Sequence, residues 1–369
     1  MNNENKTIRS VALYRLLAML LVVSGHLITV ATYSYEIVDV ISGPLSSPIL
    51  PDNGLAHFDV FLATYLHTNS GSLAVVMFFI ASGYLISRMM SRYNVKEFII
   101  NRVLSVFPTL WASLILVALF VYLSQGIVYS PADFLGSMFP FWPRITGTFV
   151  TLVLWTLRIE IKFYLLAALF WGKRKELIIY GYLIIFLAGF IYYEYRSPWI
   201  YTQMYDLSFM CFAYLGVLIE TFEREKQTNG HSLMGAVSVC ILINLLLFKA
   251  SVNIFHEDRG FYQNCGTHIF PTAILLLFMS IERRAPKVFQ RIPNIVYSVS
   301  KLSMPVYCTH VGCGLTVMYW LSKAGCGVIV TLLGGWVTAF IVAVVIYVLV
   351  TRPSGVLMKK IIRTMRKEQ

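Results

Sequence analysis

Apolar residues run along this chain in long unbroken stretches separated by short polar connections. Ten such runs stand out, at roughly 8–31, 72–90, 103–124, 148–171, 176–193, 203–221, 233–249, 268–282, 300–321 and 328–350. Most approach the ~20 residues that a helix needs to cross a bilayer. The runs are continuous rather than alternating, which argues against a membrane β-barrel. Their 3.6-residue periodicity is weak, as expected of helices that are apolar all round. The pattern predicts an all-α, polytopic membrane helix bundle with about ten transmembrane helices.

Composition fits this reading: 57% of the 369 residues are hydrophobic and 13% are charged. A soluble domain carries nearly twice that share of charge. The formal net charge of +12 would suit a nucleic-acid partner if the cations formed a separate patch. Instead they flank the apolar runs, so the partner they imply is the lipid bilayer and no nucleic acid is expected. Lys and Arg are absent from the connection Thr32 to Gly71, whereas the next connection holds Arg88, Arg92, Lys96 and Arg102. Lone Arg144 is followed by Lys173, Arg174 and Lys175, and lone Arg196 by Arg224 and Lys226. Lys249 and Arg259 precede Arg283, Arg284, Lys287 and Arg291; lone Lys323 precedes the basic tail. By the positive-inside rule this alternation predicts that both termini are cytoplasmic. The division expected is a transmembrane domain over 1–352 and a basic cytoplasmic tail over 353–369. In the tail, Val356, Leu357, Ile361, Ile362 and Met365 interleave with cations, as in a helix lying on an anionic inner leaflet or a plain positive anchor.

The first run reads as a retained span rather than a cleaved signal peptide. Six cysteines show no metal-type pairing and no disulfide framework, Cys265 with Cys326 being the one pair worth considering. His57, Asp59 and His67 share the longest connection, but loop spacing alone does not make a metal site, and none is expected.

Chemistry enters where charge interrupts the apolar runs, because an ionisable side chain inside a span is costly and marks function by default. The first run holds Arg15 and His26, eleven residues apart. That is about three helical turns, so in a regular helix both lie on one face roughly 16 Å apart along the axis. Arg15 can also snorkel to the headgroups. The second run contains VVMFFIASGYLISR (75–88), where Ser82-Gly83 suits close helix packing. FIINRVLSVFPTLW (98–111) follows, with Arg102 at a cytoplasmic helix start. In LWTLRIEIKFYLL (154–166), Arg158 and Lys162 share a face and Glu160 points elsewhere, so at least one charge should reach another helix or the active cavity. SKLSMPVYCTH (300–310) adds a second intramembrane imidazole, His310, and a proline, Pro305, expected to kink its helix and free a carbonyl.

These segments, in this order, resemble the acyltransferase 3 family of membrane-bound acyltransferases. The resemblance rests on Arg15, ten residues, then His26; on FF-x-x-SGYLI from Phe78; on Arg102 and Pro108; on Trp155-Thr156-Leu157, Glu160 and Tyr164; on Ser303, Tyr307 and His310; and on Pro353. The chain departs from the family pattern at Asn101 and Ser105, where Arg is usual, and it lacks the acid that usually stands two residues before the final proline. The resemblance implies an O-acyltransferase of the cell inner membrane that acylates O-antigen or other surface-polysaccharide sugars, free or lipid-linked. The donor substrate implied is acyl-coenzyme A, acetyl-CoA first, with no bound cofactor. It assigns His26, Arg15 and Glu160 to catalysis, Arg102 and Arg158 to the donor, and Tyr164, Tyr307 and His310 to the carbohydrate acceptor. His26 suits a general base because an imidazole titrates near working pH; it also suits an acyl-carrying nucleophile. Glu160 either orients a catalytic cation or holds the bundle together. The rival is a glycan or lipid-linked sugar transporter, against which stand the lack of an inverted repeat and of paired broken helices.

Overall fold

The computed structural model describes residues 9–33, 48–140, 150, 151, 153–195, 198–225, 235–244 and 265–368. Among them there is helix and no strand. In chain order the helices are α1 (Arg9–Tyr33), α2 (Gly54–Tyr65), α3 (Ser70–Met89), α4 (Val95–Gln125), α5 (Pro131–Met138), α6 (Leu154–Leu169), α7 (Arg174–Tyr195), α8 (Pro198–Arg224) and α9 (Gly235–Asn244). They continue with α10 (Cys265–Arg284), α11 (Pro286–Arg291) and α12 (Asn294–Val299). A 3₁₀ turn, Ser300–Leu302, then leads into α13 (Ser303–Thr309), a π-helical segment His310–Gly314 and α14 (Leu315–Lys323). The last helix is α15 (Val328–Lys367). Five of these, α1, α3, α4, α10 and α15, are long and apolar enough to cross a membrane. All six cysteines are reduced thiols, Cys265 and Cys326 included.

Four helices, α2, α5, α11 and α12, occupy stretches that hydropathy leaves as connections. The second of them, α5, is set by local chemistry. Ser130 caps it by accepting from the Asp133 amide at 3.1 Å, and Pro131 supplies a fixed φ where no amide donor is needed. Pro305 falls in the first turn of α13, just after the 3₁₀ turn, so its missing N–H costs no hydrogen bond of the α segment.

The chain divides into two compact units. The first comprises Met1–Ala18, Leu62–Val95 and Arg158–Tyr297. Its centre is the contact of α3 with α8, where two glycines let backbones touch. A Cβ on Gly83 would lie 1.9 Å from the carbonyl oxygen of Ala213, and one on Gly216 would lie 2.0 Å from that of Ile80. At one end of this pair, Arg174 donates to the hydroxyl and carbonyl of Ser87 and to the Ser91 hydroxyl, while Ser87 donates to Glu220 at 2.5 Å. Arg9 and Ser10, at the start of α1, donate their amides to Glu282 of α10 at 3.1 and 3.0 Å.

The second unit comprises Met19–Phe61, Lys96–Leu157 and Ser298–Gln369. Here α15 packs along the 300–323 segment, and Thr109 of α4 meets Thr351 of α15, hydroxyl to hydroxyl, at 2.8 Å. The basic tail is helical as far as Lys367 and continues the tenth apolar run through a π turn, Tyr347–Thr351. Met358 and Ile362 are buried, and Arg366 grips the buried Glu97 of α4 with two hydrogen bonds of 2.5 and 2.9 Å.

Candidate active site

Two imidazoles meet in the second unit. His26 Nδ1 lies 2.8 Å from His310 Nε2, with ring centroids 5.0 Å apart. Both residues sit where a helix widens. The α-helical turns of α1 run to Ser24 and give way to a π segment at Gly25–Val30, and α13 gives way to its own π segment at His310. Such widened turns are uncommon and recur at functional sites. The regular 3.6-residue spacing assumed between Arg15 and His26 therefore ends one residue before His26.

His310 has no solvent exposure. Its Nδ1 faces the carbonyl oxygens of Val306 at 3.0 Å and Tyr307 at 2.9 Å. His26 is partly exposed. The Tyr307 ring stands 5.9 Å from the His310 ring, and the Tyr307 hydroxyl is 2.6 Å from that of Thr156. Close backbone packing supports this arrangement: a Cβ on Gly312 would lie 2.3 Å from the Val117 side chain, and one on Gly314 would lie 3.2 Å from Leu27.

The charged run on α6 partners within the first unit. Arg158 donates through Nε and Nη2 to the two oxygens of Asp206 on α8, at 2.7 and 2.8 Å. Lys162 donates to the same carboxylate at 2.6 Å and to the Gln203 side-chain oxygen at 2.5 Å. Asp206 is fully buried, and the two cations are 13% and 22% exposed. Glu160 points away from this cluster, as the helical spacing predicts. It accepts from the Ser82 hydroxyl at 2.5 Å and from the Tyr164 hydroxyl. So Glu160 is held by two neutral donors and Arg158 by a full ion pair.

Arg15 is half-buried on α1 in the first unit. Arg102, in the second, donates through Nε and Nη2 to the Asn101 side-chain oxygen at 3.2 and 2.6 Å, while the Asn101 amide reaches Met358 Sδ at 2.9 Å. Asn101, which departs from the family pattern, thus links Arg102 to the tail helix. His57 does not pair with Asp59 but lies 3.0 Å from both oxygens of Asp52, which also accepts from Tyr33 at 2.5 Å. These contacts, that with Tyr33 first, hold the Asp52 carboxyl below its ordinary value. Among the described residues no three His, Cys, Asp or Glu side chains are arranged to hold a metal.

A family model described as an acyltransferase domain, acyltransferase 3, matches residues 8–352. The chain belongs to the acyltransferase 3 family. No curated protein and no solved structure matches it. Family membership makes it a membrane acyltransferase, consistent with its apolar helices. Of the residues that sequence singles out, the structure pairs His26 with His310 and Glu160 with Tyr164. Sequence reasoning missed Asp206, and it quoted Thr156 within the family motif without giving it a place in the site. Asp206 was open to detection as a lone acid in the apolar stretch YTQMYDLSFM, opposite a helix with two cations to neutralise.

Proposed function

We propose that this acyltransferase is an O-acyltransferase of the cell inner membrane, crossing it about ten times with both termini in the cytoplasm. It moves an acetyl group from acetyl-CoA to a hydroxyl of a surface-polysaccharide or lipid-linked sugar. The observation that carries this reading is the hydrogen-bonded pair of His26 and His310, which sets a partly exposed imidazole against a buried one inside an apolar helix bundle. A hydroxyl is a poor nucleophile until its proton is removed, and an imidazole is the side chain suited to remove it near neutral pH.

In this reading His26 takes the proton from the acceptor hydroxyl as the oxygen bonds to the thioester carbonyl carbon. The carbon–sulfur bond then breaks, and the proton passes to the departing thiolate, giving free coenzyme A and an O-acetyl sugar. Tyr307, beside the pair, contacts the acceptor, and Arg102 supplies positive charge toward the donor's phosphates. Roles for Arg15, Glu160, Tyr164 and Arg158 are proposed on the family's motifs. The ion pair of Arg158 with Asp206 favours a structural share in its role.

The test is release of free thiol from acetyl-CoA by membranes supplied with polysaccharide acceptor. Wild type releases coenzyme A only with both substrates present, and His26→Ala lowers the rate by about 10²–10⁴-fold, the span of general-base catalysis. Acceptor-dependent release at the wild-type rate in the variant removes His26 from the chemistry.

A further inference from the structure

The hydrogen-bond pattern around His310 fixes where both imidazoles carry their protons. A carbonyl oxygen only accepts, so His310 Nδ1, facing the carbonyls of Val306 and Tyr307 at 3.0 and 2.9 Å, must bear a hydrogen. A bare nitrogen there would set its lone pair against two others. The ring has no solvent exposure, and its hydrogen-bond partners are two carbonyls and an imidazole, none of them an anion. A doubly protonated ring would be an unneutralised buried charge, which is strongly disfavoured. His310 is therefore neutral, and its Nε2 is an acceptor. The nitrogen 2.8 Å away, His26 Nδ1, is then the donor. In a neutral imidazole one nitrogen donates and the other accepts, so the lone pair of His26 lies on Nε2.

We infer that His310 is a positioning residue: two backbone carbonyls lock its tautomer, and through its Nε2 it holds His26 with the basic Nε2 presented to the acceptor hydroxyl. This rests on the reading of His26 as the base and replaces the acceptor-binding role expected for His310. It also gives the π segment at His310–Gly314 a purpose, since the helix widens where the imidazole turns back onto carbonyls three and four residues earlier. When His26 takes a proton, its Nδ1–H still points at a neutral acceptor, so the imidazolium forms without losing its hydrogen bond.

Two variants of similar bulk separate this role from packing. His310→Gln keeps an acceptor oxygen within reach of His26 Nδ1, and His310→Leu fills the space with none. At matched membrane levels, acetyl-CoA turnover with polysaccharide acceptor should fall at least ~100-fold in the Leu variant. The Gln variant should stay within about tenfold of wild type, with the KM for acetyl-CoA little changed in both. Equal loss in both variants, or better activity with Leu, overturns the inference. Independently of folding in either variant, ¹⁵N spectra of histidine-labelled wild-type protein in lipid nanodiscs report the tautomers directly. His26 and His310 should both carry hydrogen on Nδ1 and not on Nε2; a hydrogen on His26 Nε2 overturns the inference. Full activity in His26→Ala would instead defeat the general-base reading and leave the tautomer result standing.

Discussion

Asp206 holds two cations on one carboxylate, and this sets its weight in the fold. With no solvent exposure, and with Arg158 and Lys162 both within 2.8 Å, its removal strands two partly buried positive charges. Breaking a buried pair from one side costs about 3–5 kcal/mol. Asp206→Asn should therefore lower the melting temperature of the detergent-solubilised protein markedly, and adding Lys162→Met should recover part of the loss. No shift in the single variant would show that water or another group neutralises the cluster. The sequence makes the need for a partner visible through the i, i+4 spacing of Arg158 and Lys162, and correctly turns Glu160 away from them. It marks Asp206 only as a lone acid in an apolar stretch, because the packing of α8 that brings this acid near is encoded by no local pattern.

At the scale of elements, close approach of α3 and α8 depends on glycine in both. The Cβ of Gly83→Ala would meet the Ala213 backbone, which cannot rotate aside as a side chain can. Overpacking of this kind costs ~1–3 kcal/mol or more. Thermal unfolding of Gly83→Ala should reveal such a loss; wild-type stability would mean that the helices separate freely. Ser82-Gly83 is legible in the sequence as a close-packing site, but Gly216, which lies against the backbone of Ile80 and Tyr84 across the interface, is not. Nor are the π segments at Gly25 and His310. In helices apolar all round the hydrophobic pattern has little phase, so a change of winding leaves no trace in it. The helix over Gly54–Tyr65 was hidden for a related reason, since its apolar content is too short to register as a span.

For the whole molecule, continuous apolar runs specify a helical membrane protein, and the ordered motifs from Arg15 to Pro353 specify the family. The runs and the motifs are properties of the chain itself, so both are readable before folding. What folding adds is the pairing of His26 with His310, residues from opposite ends of the sequence that neither motif connects. Whether this pair carries acyl transfer to a surface sugar is read from the acetyl-ester content of surface polysaccharide in cells. Strains carrying wild type or His26→Ala at equal membrane levels are compared. The variant should export polysaccharide of normal amount and length that lacks the acetyl esters. Unchanged esters would contradict this, and loss of export itself would point to transport of the glycan instead.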